Sequence, residues 1–198
     1  MAENENTEQQ PVANANKDRK QNNRNGNRPR KNDRERRAPR EQSEFEQRTI
    51  MIRTVQKVIA GGRTMSMSAL GAVGDKKGRV GIGLGKAKET ANAVEKAFTE
   101  AKRNMISVPV VNGTIPHEIE AKFGASTVKL LPAKEGTGII AGGAARPILE
   151  LAGIKNITAK NHGSNNKINT VRATFKALQA LQTAEQIAAA RGKNVEDL

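Results

Sequence analysis

The chain has 198 residues and a formal net charge of +14, from 34 Lys and Arg against 20 Asp and Glu, and most of that excess falls beyond residue 44. It contains no Cys, no Trp and no Tyr, which excludes disulfides, cysteine-ligated metal and thiol catalysis, and makes stacking on unpaired bases a minor device. No apolar run approaches the roughly 20 residues of a membrane span, and the polar start, with Glu3, Glu5 and Glu8, resembles neither a signal nor a transit peptide, so a cytoplasmic protein with a polyanionic partner is expected.

Residues 1–44 combine Asn, Gln, Arg and Glu with almost no large apolar side chain, which predicts a disordered tail. Its basic part, with Arg19, Lys20, Arg24, Arg28, Arg30, Lys31, Arg34, Arg36 and Arg37 broken by glycine and proline, suits an arm that settles along RNA phosphates. Order is expected from Phe45. Ile50, Ile52, Val55 and Val58 alternate imperfectly into Ala60-Gly61-Gly62-Arg63, and Met65, Met67 and Ala69 follow, which reads as a hairpin with Lys57 and Arg63 near its tip. A second turn, Asp75-Lys76-Lys77-Gly78, separates the apolar runs 69–73 and 80–84 and carries Lys76, Lys77 and Arg79.

Gly81, Gly83 and Gly85 then alternate with Ile82 and Leu84, leaving one face of the strand bare so that something can approach the backbone. Lys86 and Lys88 follow where a helix is predicted to start, with apolar residues at 87, 91, 94, 98, 101 and 105 and with Lys96, Lys102 and Arg103 on its other face. A cationic turn, a bare face and a basic helix start suit a polyanion better than a small molecule. The predicted unit is β-β-β-α.

Residues 106–112 read as a linker. Strands are expected over 115–122 and 127–131, a glycine-rich loop over 132–143, a short helix over 144–152 closed by Gly153, and a strand over 154–160. A polar loop over 161–166 leads to a helix over 170–181 with Asn169 as its N-cap, and a last helix spans 184–191. The expected division is a tail (1–44), an RNA-binding-like domain (45–111), a C-terminal α/β domain (112–183), and a final helix and tail (184–198).

Glycines beside a lysine invite an enzymatic reading, and the spacing rejects it. A phosphate loop needs glycine five positions before Gly85-Lys86 and a hydroxyl after it, where this chain has Val80 and Ala87. The dinucleotide pattern fails because Lys86 stands where its third glycine belongs. His162 lacks neighbouring ligands at metal spacing, and His117 lies beside Glu118 and Glu120 but, in a strand, on the opposite face. No catalytic residue, metal, cofactor or small-molecule substrate is expected.

The runs 57–63, 73–89, 132–143 and 163–174 closely resemble the ribosomal protein S5 family of the bacterial small subunit, in the same order along the chain. The resemblance covers about residues 46–193, and departs where Met65, Met67 and Leu84 replace frequent aromatics and Thr54 and Ala60 replace frequent cations. It implies an α+β protein: a double-stranded-RNA-binding-like β-β-β-α domain, then an α/β domain with a β-α-β-α core. It also implies a non-enzymatic ribosomal constituent that binds small-subunit ribosomal RNA, supports assembly and influences translational accuracy. Neighbouring ribosomal proteins four and eight are implied as partners, with messenger RNA close by.

Combined with the local reading, Lys57, Arg63, Lys76, Lys77, Arg79, Lys86 and Lys88 are the expected RNA contacts. By resemblance alone, Gln56, Lys57, Gly61 and Gly62 belong to a loop associated with spectinomycin, and Gly136, Gly138, Gly142, Gly143 and Arg146 to a protein interface. A free regulator of double-stranded RNA is the alternative, and the second domain speaks against it.

Overall fold

A long antiparallel ribbon opens the fold. The computed structural model describes residues 44–193; the tail and basic arm expected over 1–44 lie outside these but for Glu44, as do residues 194–198. Strand β1 (Glu46–Ile59) pairs antiparallel with β2 (Gly62–Gly74), and β2 pairs with β3 (Arg79–Ala87). Helix α1 (Thr90–Arg103) follows, and β4 (Met105–Ser107) returns to pair with β3, giving the order β1-β2-β3-β4. The expected linker therefore begins as a strand. Its three residues carry no strand periodicity of their own, and they extend because the edge of β3 offers hydrogen-bond partners from Arg79 to Gly81.

Alternation along β2 and β3 divides the sheet into two faces. Gly71, Gly81, Gly83 and Gly85 lie on the face toward α1, where a Cβ would strike the Phe98 ring or the backbone carbonyls of Ala101, Ala97 and Ala93. The bare face expected to await an outside partner is thus filled by the chain's own helix. The helix answers with its smallest residues, Ala93, Ala97 and Ala101, all fully buried, while Ala91 of the expected apolar stripe is exposed. The opposite face presents Leu70, Ala72 and Val80 to the second half of the chain.

That half contains β5 (Ile119–Phe123), β6 (Ser126–Pro132), β7 (Ile139–Ile140), helix α2 (Arg146–Leu151), β8 (Ile157–Gly163), and helices α3 (Lys167–Gln179) and α4 (Ala184–Arg191). The sheet order is β5-β6-β8-β7, with β7 parallel to β8, so β7-α2-β8-α3 forms the β-α-β-α core. One apolar cluster joins Leu70, Ala72 and Val80 to Val128, Leu130, Ile148, Leu149, Ile157 and Val171.

Three boundaries shift for identifiable reasons. Helix α3 starts earlier because Asn166, not Asn169, is the N-cap, its side chain accepting the Ile168 N–H at 3.2 Å. Strand β8 starts at Ile157 because Ile154 closes α2, while the N–H groups of Lys155 and Asn156 donate to the Gly113 carbonyl at 2.8 and 3.0 Å. His117 lies ahead of β5, where its Nε2 accepts the Gln182 N–H at 3.3 Å and its Nδ1 lies 2.8 Å from the Glu118 carbonyl. Among the described residues no helix is long and apolar enough to cross a membrane.

Gly83→Ala places a methyl group against the Ala97 carbonyl and is expected to cost about 1–3 kcal/mol. Gly142→Ala, in open space at ordinary φ, should stay within about 0.5 kcal/mol. Urea unfolding of both variants checks the contrast, and equal losses would contradict the close packing of α1.

Candidate nucleic-acid interface

The ribbon outruns the sheet. Pairing of β2 with β3 ends at Met67 and Ala87, whereas β1 and β2 stay paired to Ile59 and Gly62, so the terminal part of the hairpin exposes both faces. Four large apolar side chains lie exposed there, Val55, Val58, Ile59 and Met65, with Val58 at 72%, and Ile52 is exposed on β1 just before it. Between Gln47 and Gly74 there is no Asp or Glu. The register sets Lys57 opposite Thr64 and Val58 opposite Arg63, so Lys57 and Arg63 project from opposite faces. Period two places Arg53 with Lys57, and Ile52, Val58 and Met65 with Arg63. Gln56 is paired with Met65, and Ala60-Gly61 forms the turn before Gly62, whose φ is +123°.

Lys86 and Lys88 sit at the end of β3 beyond which the ribbon projects. Together with Lys96 of α1 they border an open groove of about 700 Å³, also lined by Ser66, Asn92, Thr99 and one carboxylate, Glu95. The first turn of α1 contains no acidic residue, and its N-cap Glu89 makes no side-chain cap bond, accepting instead from Asn92 Nδ2 at 2.9 Å. The partial positive charge of the helix start faces the Glu89 carboxylate as well as the lysines. Lys96 and Arg53 complete surfaces that linear reading left partial. Helical spacing from Lys88 and strand alternation from Lys57 carried the signal for each.

The β2–β3 turn is built differently. Asp75 Oδ1 accepts the N–H groups of Lys77 and Arg79 at 2.8 and 3.0 Å, and Oδ2 accepts Arg79 Nε at 2.7 Å. Lys76 forms an ion pair with Glu46, and the Arg79 guanidinium lies 5.4 Å from the centre of the Phe45 ring. Among the described residues Lys77 makes no ion pair. Burial pushes the Asp75 pKa up, but the hydrogen bonds from Arg79 and Lys77 and the Arg79 charge outweigh it and hold the carboxyl below its ordinary value.

In the glycine-rich loop, Gly136 and Gly138 have φ of +86° and +73°, a conformation that favours glycine. Gly142 and Gly143 have ordinary φ and no atom within 4 Å of a would-be Cβ, so nothing within the described chain calls for glycine there. Arg146 Nε donates to Glu150 Oε1 at 2.8 Å, and Arg48 pairs with the other oxygen. The Arg146 hydrogen bond leads the causes that lower the Glu150 pKa, prevailing with Arg48 over partial burial. His162 is exposed on β8, and among the described residues no cluster of His, Asp and Glu could hold a metal.

Comparison with known proteins is direct. Residues 45–109 match the family described as ribosomal protein S5, N-terminal domain, and residues 121–191 match its C-terminal domain. The small ribosomal subunit protein uS5 of Fusobacterium nucleatum subsp. nucleatum is 50% identical over 159 residues, which cover 80% of this chain and 97% of that protein.

Asp75 and Glu150 both bind a proton less readily in the folded chain than in the unfolded one. Their stabilisation should be fully present above the ordinary carboxylate range near pH 4 and fade as pH falls through the lower folded values. Urea midpoints measured from pH 7 to pH 2 are expected to drop over that window, and Asp75→Asn should be less stable at pH 7 with a shallower drop.

Proposed function

The chain belongs to the ribosomal protein S5 family, structural and non-enzymatic constituents of the small ribosomal subunit in the cytoplasm, and from that premise we propose that it binds ribosomal RNA through two surfaces of its first sheet. The lysine groove takes phosphates, and the acid-free ribbon lies against riboses and backbone. The observation that carries this reading is the distribution of charge: a ribbon without a carboxylate from Gln47 to Gly74, and a groove lined by three lysines against one carboxylate, Glu95, beside a helix whose first turn holds no acid. A duplex or folded RNA recognised by shape and backbone suits a chain with so few aromatic rings.

The proposed contacts are Lys57, Arg63, Lys76, Lys77, Arg79, Lys86 and Lys88, joined by Arg53 and Lys96. Lys76 and Arg79 contribute less, because each must give up a carboxylate of the chain itself. Gln56, Lys57, Gly61 and Gly62, at the exposed end of the ribbon, form the drug-associated loop. The loop from Gly136 to Gly143 with Arg146 meets a protein neighbour; the sterically unexplained Gly142 and Gly143 support a close backbone approach there. Ribosomal proteins four and eight are the proposed neighbours, with messenger RNA close by. Holding RNA segments and proteins at fixed spacing is the proposed route to assembly and translational accuracy.

Filter binding to small-subunit ribosomal RNA across a salt series tests the site. The triple variant Lys86→Ala, Lys88→Ala, Lys96→Ala is expected to bind more weakly and to flatten the log K against log salt slope by about 2, at roughly 0.7–0.9 per phosphate contact. Alanine at Lys76, Lys77 and Arg79 together should flatten it by less. An unchanged slope in the first variant would sink the groove assignment.

A further inference from the structure

We propose that the β2–β3 turn is a latch that makes the two halves of the described chain fold as one cooperative unit, so that the RNA-facing sheet is complete only when α2 and β8 are also in place. The hydrogen bonding at the end of α2 carries this. Gly153, at φ +84°, and Ile154 donate to the carbonyls of Glu150 and Leu149 at 3.1 and 3.2 Å, which closes the helix and satisfies two of its last acceptors. The next two acceptors, Leu151 and Ala152, take the N–H groups of Lys76 and Gly78 from the other half of the chain, each at 3.0 Å. Each side therefore supplies the partners that the other would otherwise leave unmet.

Contact is backbone on backbone. A Cβ at Gly74 would strike the Leu151 carbonyl, and one at Gly153 the Lys76 carbonyl. Lys76 itself is held at φ +57°, a conformation uncommon for a residue with a side chain. Across the contact, Arg48 of β1 pairs with Glu150 of α2, while Lys76 of the turn pairs within its own half with Glu46 of β1. Leu70, Ala72 and Val80 lie in the cluster they share with Val128, Leu130, Ile148, Leu149, Ile157 and Val171 of the second half. Opening the latch exposes them, so each half loses the other's support together.

Hydrogen exchange of the full chain, read residue by residue along a urea series, tests this without reference to RNA. Amides of β2 and β3 and amides of β6 and β8 are expected to converge on one opening reaction with one urea dependence. Two families, with the first sheet opening at lower urea while the second stays protected, would overturn the latch. Gly153→Ala, strained at its φ and against Lys76, should lower protection in both sheets by the same factor, at least about tenfold. A loss confined to α2 and β8 would likewise overturn it. Should the variant fail to fold, the urea series on the unmodified chain decides alone.

Discussion

The contact between α1 and the glycine stripe of β3 is the constraint on which the rest of the structure depends. Burying Ala93, Ala97 and Ala101 against Gly85, Gly83 and Gly81 brings a helix to within van der Waals distance of a sheet backbone. Side chains on either surface would hold the two apart. With α1 that close, one face of the sheet is filled by the helix, and Leu70, Ala72 and Val80 lie on the other. The second half of the chain then has an apolar surface to build upon, with Leu70, Ala72 and Val80 at its centre. The same approach brings Lys96 beside Lys86 and Lys88, so the charge of the groove follows from the packing.

Charge is sorted by structural duty. Carboxylates gather where the chain holds itself together: Asp75 orders the turn, Glu150 bridges Arg146 and Arg48, and Glu46 meets Lys76. Such exposed pairs contribute little stability individually, but they occupy cations near the junction of the two halves. Among the described residues, Arg53, Lys57 and Arg63 of the ribbon and Lys86, Lys88 and Lys96 of the groove make no ion pair. Net charge alone would not separate these two populations, because the partition depends on which carboxylate lies within reach of which cation.

Local chemistry was legible in the sequence, and contacts set by distant residues were not. Gly-Gly at 61–62 and Asp75 to Gly78 announce turns through their own backbone preferences, Gly153 announces a helix end, and each stands where the residue types require. The purpose of Gly81, Gly83 and Gly85 was misread as an approach from outside, since a strand with a bare face looks the same whether its cover is an RNA or a helix ten residues on. Strand β4 exists through pairing with β3, and Asn166 outcompetes Asn169 because the loop before it is fixed by Ser126 Oγ donating to the Ser164 carbonyl at 2.7 Å. The lysines at 86 and 88 were legible as a pair; the third wall of their groove needed the helix to be placed.

The ribbon has a consequence for the protein before it meets any partner. β1 is an edge strand, and its distal part shows apolar side chains on both faces, which is the form that invites strand-to-strand association between copies. Arg53, Lys57 and Arg63 interrupt that apolar surface at regular intervals, and with no acid between Gln47 and Gly74 two such ribbons repel one another in any register. Those cations therefore act as gatekeepers along the edge of the sheet, keeping copies of the chain from joining strand to strand.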